Sequence, residues 1–177
     1  MRIELQSLED GKGKFAHDYA AGELVIEDER LSLVVPPRVS GNIRRDGERV
    51  KINGRVTGRI QLECDRCLKP VEVAVDSKFK LEYVTPKEYE ALQEGDLTED
   101  QLDLATFDGE AIDVDALVTE ELLLAAPDHL VCDEACKGMC LVCGINKNVA
   151  ECTCETKETD PRWAGLKDLI KPVNSES

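Results

Sequence analysis

At 177 residues, with a net charge of −15 and only 4% aromatic residues, the chain has room for one ordinary domain, alone or with a metal-stapled appendage. The acid excess argues against a general nucleic-acid binder, and the scarcity of aromatic rings argues against a large stacking surface for single strands. No apolar run reaches membrane-spanning length, so a soluble protein with no membrane partner is expected.

The charge is unevenly spread. Residues 1–80 carry 15 basic and 14 acidic side chains, whereas residues 81–129 carry 15 acidic and one basic. Residues 2–8 alternate polar with apolar and read as a short strand, followed by a loop over residues 9–14. His17 reads as a surface or boundary histidine. Leu31 to Val35 reads as a strand that stops at Pro36-Pro37 or lies at an edge, because proline cannot donate to an interior ladder.

Arg49 to Cys64 carries the clearest strand pattern. Val50, Ile52, Val56, Ile60 and Leu62 take even positions, and Arg49, Lys51, Arg55 and Arg59 take odd ones. A period of two sends the apolar set to a core and lines the four cations along the opposite face. Gly54 and Gly58 fall on the apolar face and mark a bulge or bend. Val71 to Tyr83 repeats the alternation, so the two runs make an antiparallel hairpin with Cys64-Asp-Arg-Cys67 at its tip. The cationic row has two readings, a solvated strand face or a phosphate- or acid-binding stripe.

Thr85-Pro86 opens a short helix to Leu92, and Gly95 to Glu110 reads as an acidic loop. Ile112-Asp113-Val114 reads as a brief strand. Asp115 then caps a helix from Ala116 to Ala125, which Pro127 ends. Glu120 and Glu121 are adjacent in that helix and diverge by about 100°, so they make a poor catalytic pair. The loop acids Glu94, Asp96, Glu99, Asp100 and Asp103 form either a solubilising stretch or a site for a basic partner. A last helix starts at Asp160-Pro161 and presents Trp163, Leu166, Leu169 and Ile170.

Six of the eight cysteines lie between Cys132 and Cys154. The first residues show no secretory signal, so a disulfide framework is disfavoured. Neither Cys-x-x-Cys follows a strand and opens a helix as a redox pair would. Cys140-Leu-Val-Cys143-Gly144 has the form of a zinc knuckle, and Cys152-Thr-Cys154 is near enough to complete a four-thiolate site. Cys64 and Cys67 then pair with Cys132 and Cys136, giving two zinc ions. The alternative is one zinc in the 132–154 cluster with Cys64 and Cys67 free. His129 lies near the cluster, but eight thiols already suffice for two tetrads. No phosphate loop, dinucleotide fingerprint, nucleophile elbow or His-Glu-x-x-His occurs, so neither an enzyme nor a small-molecule substrate is expected.

The expected architecture is α+β. A mainly antiparallel sheet or open barrel fills residues 1–83, with helices and a C-terminal cysteine-rich zinc module after it. These belong to a single domain over 1–177, with a β-rich part (1–83), an acidic helical and loop part (84–129), and the zinc module with its C-terminal helix (130–177).

Several motifs together carry a resemblance. They are Cys64-Asp-Arg-Cys67-Leu-Lys-Pro70, Glu120-Glu121-Leu122-Leu123-Leu124 with Pro127, Cys132-x3-Cys136-Lys-Gly138-Met-Cys140-x2-Cys143-Gly144-x-Asn146-x-Asn148, Cys152-x-Cys154 and Asp160-Pro161-Arg162. In this order the chain resembles the YceD-like family of large ribosomal RNA subunit accumulation proteins. Leu141 stands where that family often has proline, and Lys147 where leucine is common. The resemblance implies a cytoplasmic or plastid protein supporting the synthesis, processing or stability of large-subunit ribosomal RNA. Here no transit peptide is evident, so a non-enzymatic ribosome-biogenesis factor in the cytoplasm is expected. Two partner classes follow. One is large-subunit RNA or a pre-ribosomal particle, met through Arg49, Lys51, Arg55 and Arg59. The other is a basic ribosomal protein, held by an acidic chaperone or adaptor through Glu94, Asp96, Glu99, Asp100 and Asp103.

Overall fold

The computed structural model describes residues 1–93 and 104–154. Glu94, Asp96, Glu99, Asp100 and Asp103 lie outside the described residues, as does the segment from Asp160 that carries Trp163.

The alternating runs pair as their pattern requires. Strand β1 (Arg2–Glu4) is followed by β2 (Lys12–Asp18), β3 (Ser32–Asp46), β4 (Arg49–Glu63) and β5 (Pro70–Val84). Helix α1 (Pro86–Gln93), strands β6 (Leu104–Thr106) and β7 (Ala111–Asp113), and helix α2 (Val114–Leu124) complete the order. The main sheet has the order β2-β3-β4-β5-β6 and is antiparallel except for the β5–β6 pair. A second, two-stranded sheet joins β1 to β7. The main sheet stays open, with β2 and β6 at its edges, so the fold is α+β without a closed barrel.

One face of the sheet is the core. Val50, Ile52, Val56 and Ile60 of β4 are fully buried, and Val39, Val75 and Phe79 join them from the neighbouring strands. Helix α2 lies over this face and buries Val114, Leu117, Val118 and Leu122 in the same cluster. Gly54 faces Gly41 across the β3–β4 ladder. A β-carbon on Gly54 would collide with the Ser40 carbonyl and sit 2.7 Å from the Phe79 ring. One on Gly41 would meet Phe15 at 2.8 Å. The glycine pair therefore lets two rings cross the ladder, and the register is regular at Gly54, with no bulge there, whereas it shifts in β3 opposite Gly58.

Leu104–Thr106, within the stretch expected as an acidic loop, is strand β6, recruited by parallel pairing with the end of β5. The structure departs from the sequence expectations at four further places. First, β1 ends at Glu4 because Leu5–Ser7 turns as a short 3-10 segment that buries Leu5. Second, residues 12–18 are an edge strand, which Lys12, Lys14 and two glycines had disguised as a loop. Third, β3 does not stop at Pro36-Pro37 but runs through them, and there it lies at an edge, as the other expectation had it, since β2 pairs only with Arg38–Arg44. Its pairing with β4 shifts between Leu33, Val35 and Arg38, so the two prolines sit in irregularities where no ladder N–H is required. Fourth, the cap of α2 is Asp113, whose side chain accepts from the amides of Asp115 (2.9 Å) and Ala116 (3.2 Å). Asp115 instead accepts the Tyr19 hydroxyl at 2.6 Å and pairs with the N-terminal amine. Asp113→Ala should accordingly lower stability by about 1 kcal/mol in a urea titration, the usual cost of a lost N-cap. Asp115→Asn, which leaves the cap in place, should not reproduce a loss of helix.

Among the described residues, no helix is long and apolar enough to cross a membrane.

Candidate metal centre

The β4–β5 hairpin is fifteen residues long on each side, and its tip projects beyond the sheet core. Cys64 and Cys67 sit in that tip. The turn closes through Leu68 N–H to the Cys64 carbonyl (2.9 Å) and Cys64 N–H to the Lys69 carbonyl (2.9 Å), with Leu68 at φ +57°. After α2 the chain returns along the tip and is fastened to it residue by residue. Asp65 N–H donates to the Leu130 carbonyl and the Asp65 carboxylate accepts from Leu130 N–H, both at 2.8 Å. The Arg66 guanidinium donates to the carbonyls of Glu134 and Cys136 at 3.0 Å, and Met139 N–H donates to the Arg66 carbonyl at 2.8 Å. Gly138 passes this carbonyl at φ +71°, where a β-carbon would lie 2.9 Å from the Arg66 oxygen.

These contacts bring Cys64, Cys67, Cys132 and Cys136 together, and Cys140, Cys143, Cys152 and Cys154 form a second group. Within each group all four sulfurs lie within 4.8 Å of one another. In the first, Cys64–Cys136 and Cys67–Cys132 are 4.0 and 3.6 Å apart. A tetrahedral ion with metal–sulfur bonds of about 2.3 Å needs sulfurs about 3.8 Å apart, so the donor set fits a metal of zinc's size. All eight cysteines are free of disulfides.

Backbone amides aim at the sulfurs. Cys64 Sγ accepts from Cys132 N–H at 3.3 Å and from the amides of Arg66 and Cys67, which pull its thiol down to about 6. The amides of Cys143 and Val142 do the same for Cys140, also to about 6. Contact with Cys67 pushes Cys132 up to about 12, and contact with Cys143 pushes Cys154 up to about 12. Four thiolates at this spacing repel one another, so Cys132 and Cys154 keep their protons beside the more readily ionised Cys64 and Cys140 until a cation replaces them. The first group is largely buried, packed with Val71, Val131 and Met139. The second is more open, with Cys143 exposed and Leu141 97% exposed beside it.

The sequence reading gave no role to Asp65, Arg66, Asn146 or Asn148. Asn148 accepts from Lys137 N–H at 2.8 Å and donates to Cys136 Sγ at 3.3 Å, while Asn146 accepts from the amide of Asn148 at 2.9 Å. The asparagines thus tie the loop between Cys143 and Cys152 of the second group to a sulfur of the first. Only their spacing after Gly144 hinted at this. Asn148→Ala should weaken metal binding at the first group by about 10- to 100-fold in a chelator competition, as losses of groups hydrogen-bonded to ligands do.

The other singled-out residues are dispersed. Arg49, Lys51, Arg55 and Arg59 do line the exposed sheet face, and each meets a carboxylate. Arg49 reaches Glu88 (2.6 Å) and Glu82 (3.1 Å), Lys51 reaches Glu82 (3.4 Å), Arg55 reaches Asp76, and Arg59 reaches Glu72 (3.2 Å). The Arg55 guanidinium holds the Asp76 carboxyl below the usual range. His17 bonds Glu23 at 2.6 Å, and His129 is 95% exposed, 3.7 Å from Asp65 and in neither cysteine group. Glu121 accepts the Ser77 hydroxyl at 2.6 Å, an anchor between α2 and the sheet.

A family model described as large ribosomal RNA subunit accumulation protein YceD matches residues 52–170. A chloroplast relative from Arabidopsis thaliana, described as large ribosomal RNA subunit accumulation protein YCED homolog 1, is 28% identical over 166 residues, covering 80% of this chain and 50% of the relative. Its Zea mays counterpart is 28% identical over 160 residues, covering 77% of this chain and 54% of the relative. A Bacillus subtilis (strain 168) protein described as uncharacterized protein YlbN is 27% identical over 159 residues, covering 89% of this chain and 88% of the relative. The chain spans about half the length of the plant relatives it matches. No solved structure matches.

Proposed function

We propose, on the premise that this chain belongs to the YceD family of large ribosomal RNA subunit accumulation proteins, that it is a non-enzymatic factor supporting synthesis, processing or stability of large-subunit ribosomal RNA. The observation that carries this reading is the family match over residues 52–170, which takes in the hairpin tip and both cysteine groups. Cytoplasmic action on RNA or a pre-ribosomal particle accords with that family.

The two cysteine groups are zinc sites in this reading. A bound zinc supplies the positive charge that lets four thiolates sit side by side, and a closed tetrathiolate shell leaves no open position for a substrate. Their work is structural. Asp65, Arg66 and Asn148 orient the first group, and the clasp fixes the hairpin tip against the segment that follows α2. The chain acts as one domain closed by its own metal sites.

The test is complementation in a bacterium from which the family member has been deleted. Expression of this chain should restore the ratio of large- to small-subunit ribosomal RNA and the large-subunit peak in a sucrose gradient. A stably expressed chain that restores neither would remove the reading.

A further inference from the structure

The core lies on one face of the sheet, and the opposite face is reached, among the described residues, by helix α1 at its Arg49 end, where Glu88 pairs with Arg49. Its cations come from four strands. The register sets Lys12 beside Arg44 and Arg44 beside Lys51, then Lys14 beside Asn42, Asn42 beside Asn53, and Asn53 beside Lys80. Lys78 stands beside Arg55 in the next row. Lys12, Lys14, Arg44, Lys78 and Lys80 are exposed, and among the described residues none has a carboxylate within ion-pair distance. The uncompensated positive charge on this face therefore sits to either side of the paired row of β4.

We infer that this face, through Lys12, Lys14, Arg44, Lys78 and Lys80 around the Asn42–Asn53 pair, is a docking surface for the phosphate backbone of structured RNA. The inference rests on the ribosomal RNA role proposed above and assigns its contact surface. Three strand spacings separate Lys14 from Lys80, about 14 Å, enough to face several phosphates. No described aromatic side chain lies on the face. Phe15 and Phe79 point into the core, so the surface offers no ring for stacking on unpaired bases. Asn42 donates to Asn53 at 3.3 Å, leaving one amide group and one carbonyl for ribose hydroxyls in the centre of the patch. The rest of the chain is acidic, which confines RNA to this side and suppresses nonspecific coating.

The test uses the full metal-loaded chain and labelled transcripts tiling large-subunit ribosomal RNA, with affinity measured against salt. Replacing all five cations by glutamine should raise Kd at least tenfold on the transcripts that the wild type binds. The slope of log Kd against log salt should fall by about 3 to 5, one contact per cation removed. A control removing equal charge elsewhere, at Arg2, Arg30, Lys69, Lys87 and Lys137, should bind nearly as the wild type. Glu82→Gln, which frees Lys51 on the same face and leaves Arg49 paired with Glu88 alone, should bind a few-fold tighter, a gain that misfolding does not produce. Equal binding by the wild type and the five-cation variant, or an equal loss in the control, overturns the surface. Wild-type binding to no transcript also overturns it, as does capture of a ribosomal protein that the five-cation variant loses. Complementation by the wild-type chain leaves the proposed function standing in each case.

Discussion

Cys64→Ser should melt far below the wild-type protein, by roughly 10 °C or more. Loss of a metal site belongs to the small class of changes that cost more than about 4 kcal/mol. Cys64 is fully buried, and three amides converge on its sulfur. The site it completes also joins two segments more than sixty residues apart in sequence, so its loss returns a long loop to the chain. Serine offers a harder, less easily ionised oxygen at a shorter reach. The buried cluster of Val71, Val131 and Met139 then loses the clasp that closes it. Cys143→Ser, in the exposed group, should cost less, because fewer packed residues depend on it. Melting curves followed by circular dichroism check both. A Cys64→Ser protein that melts within two or three degrees of wild type (about 1 kcal/mol) would mean that the first group does not hold the fold together.

Gly54→Val should be comparably damaging, by more than about 3 kcal/mol, for a reason unrelated to metal. The new side chain would strike the Ser40 carbonyl on one side and the Phe79 ring on the other, within β4, which is paired on both sides in the sheet. Neither neighbour can retreat. Ser40 is held in the β3 ladder, and Phe79 packs in the core. Gly47→Ala gives the contrast. It lies in the β3–β4 turn at φ +65° with open space around it, so only backbone strain of about 1 kcal/mol is expected. Urea denaturation of the two variants measures the difference directly, and a Gly54→Val protein as stable as Gly47→Ala would contradict the packing described.

The β4–β5 hairpin was legible in the sequence because its core side keeps a period-two apolar pattern on both strands, relieved only by Gly54, Gly58 and Ser77, and so was the place of Cys64 and Cys67 at its tip. The grouping of the sulfurs also followed from spacing. Cys140 to Cys154 are close enough to meet locally, which leaves the tip pair for Cys132 and Cys136, and those are the sulfurs that lie together. What escaped was nonlocal. Strand β2 is polar on its open side and begins between Gly11 and Gly13, so it resembles a loop until Arg44 to Arg38 pair with it. Pro36-Pro37 reads as a strand end unless the register shifts beside it are known. The neutralisation of Arg49, Lys51, Arg55 and Arg59 depends on which carboxylates β5 and α1 set beside them. A single strand's periodicity carries no such information. Asp113 and Asp115 are both plausible caps by composition, and only the Tyr19 hydroxyl and the N-terminal amine decide which one is occupied elsewhere.

The central claim is that this fold is closed by two tetrathiolate metal sites, one of them a clasp between the hairpin tip and the segment after α2. Native mass spectrometry of the wild-type chain, purified without added metal or chelator, tests it most directly. The account predicts two zinc ions per chain, falling to one in Cys64→Ser. A wild-type chain carrying one ion or none, or a Cys64→Ser chain that keeps every ion of the wild type, would contradict it.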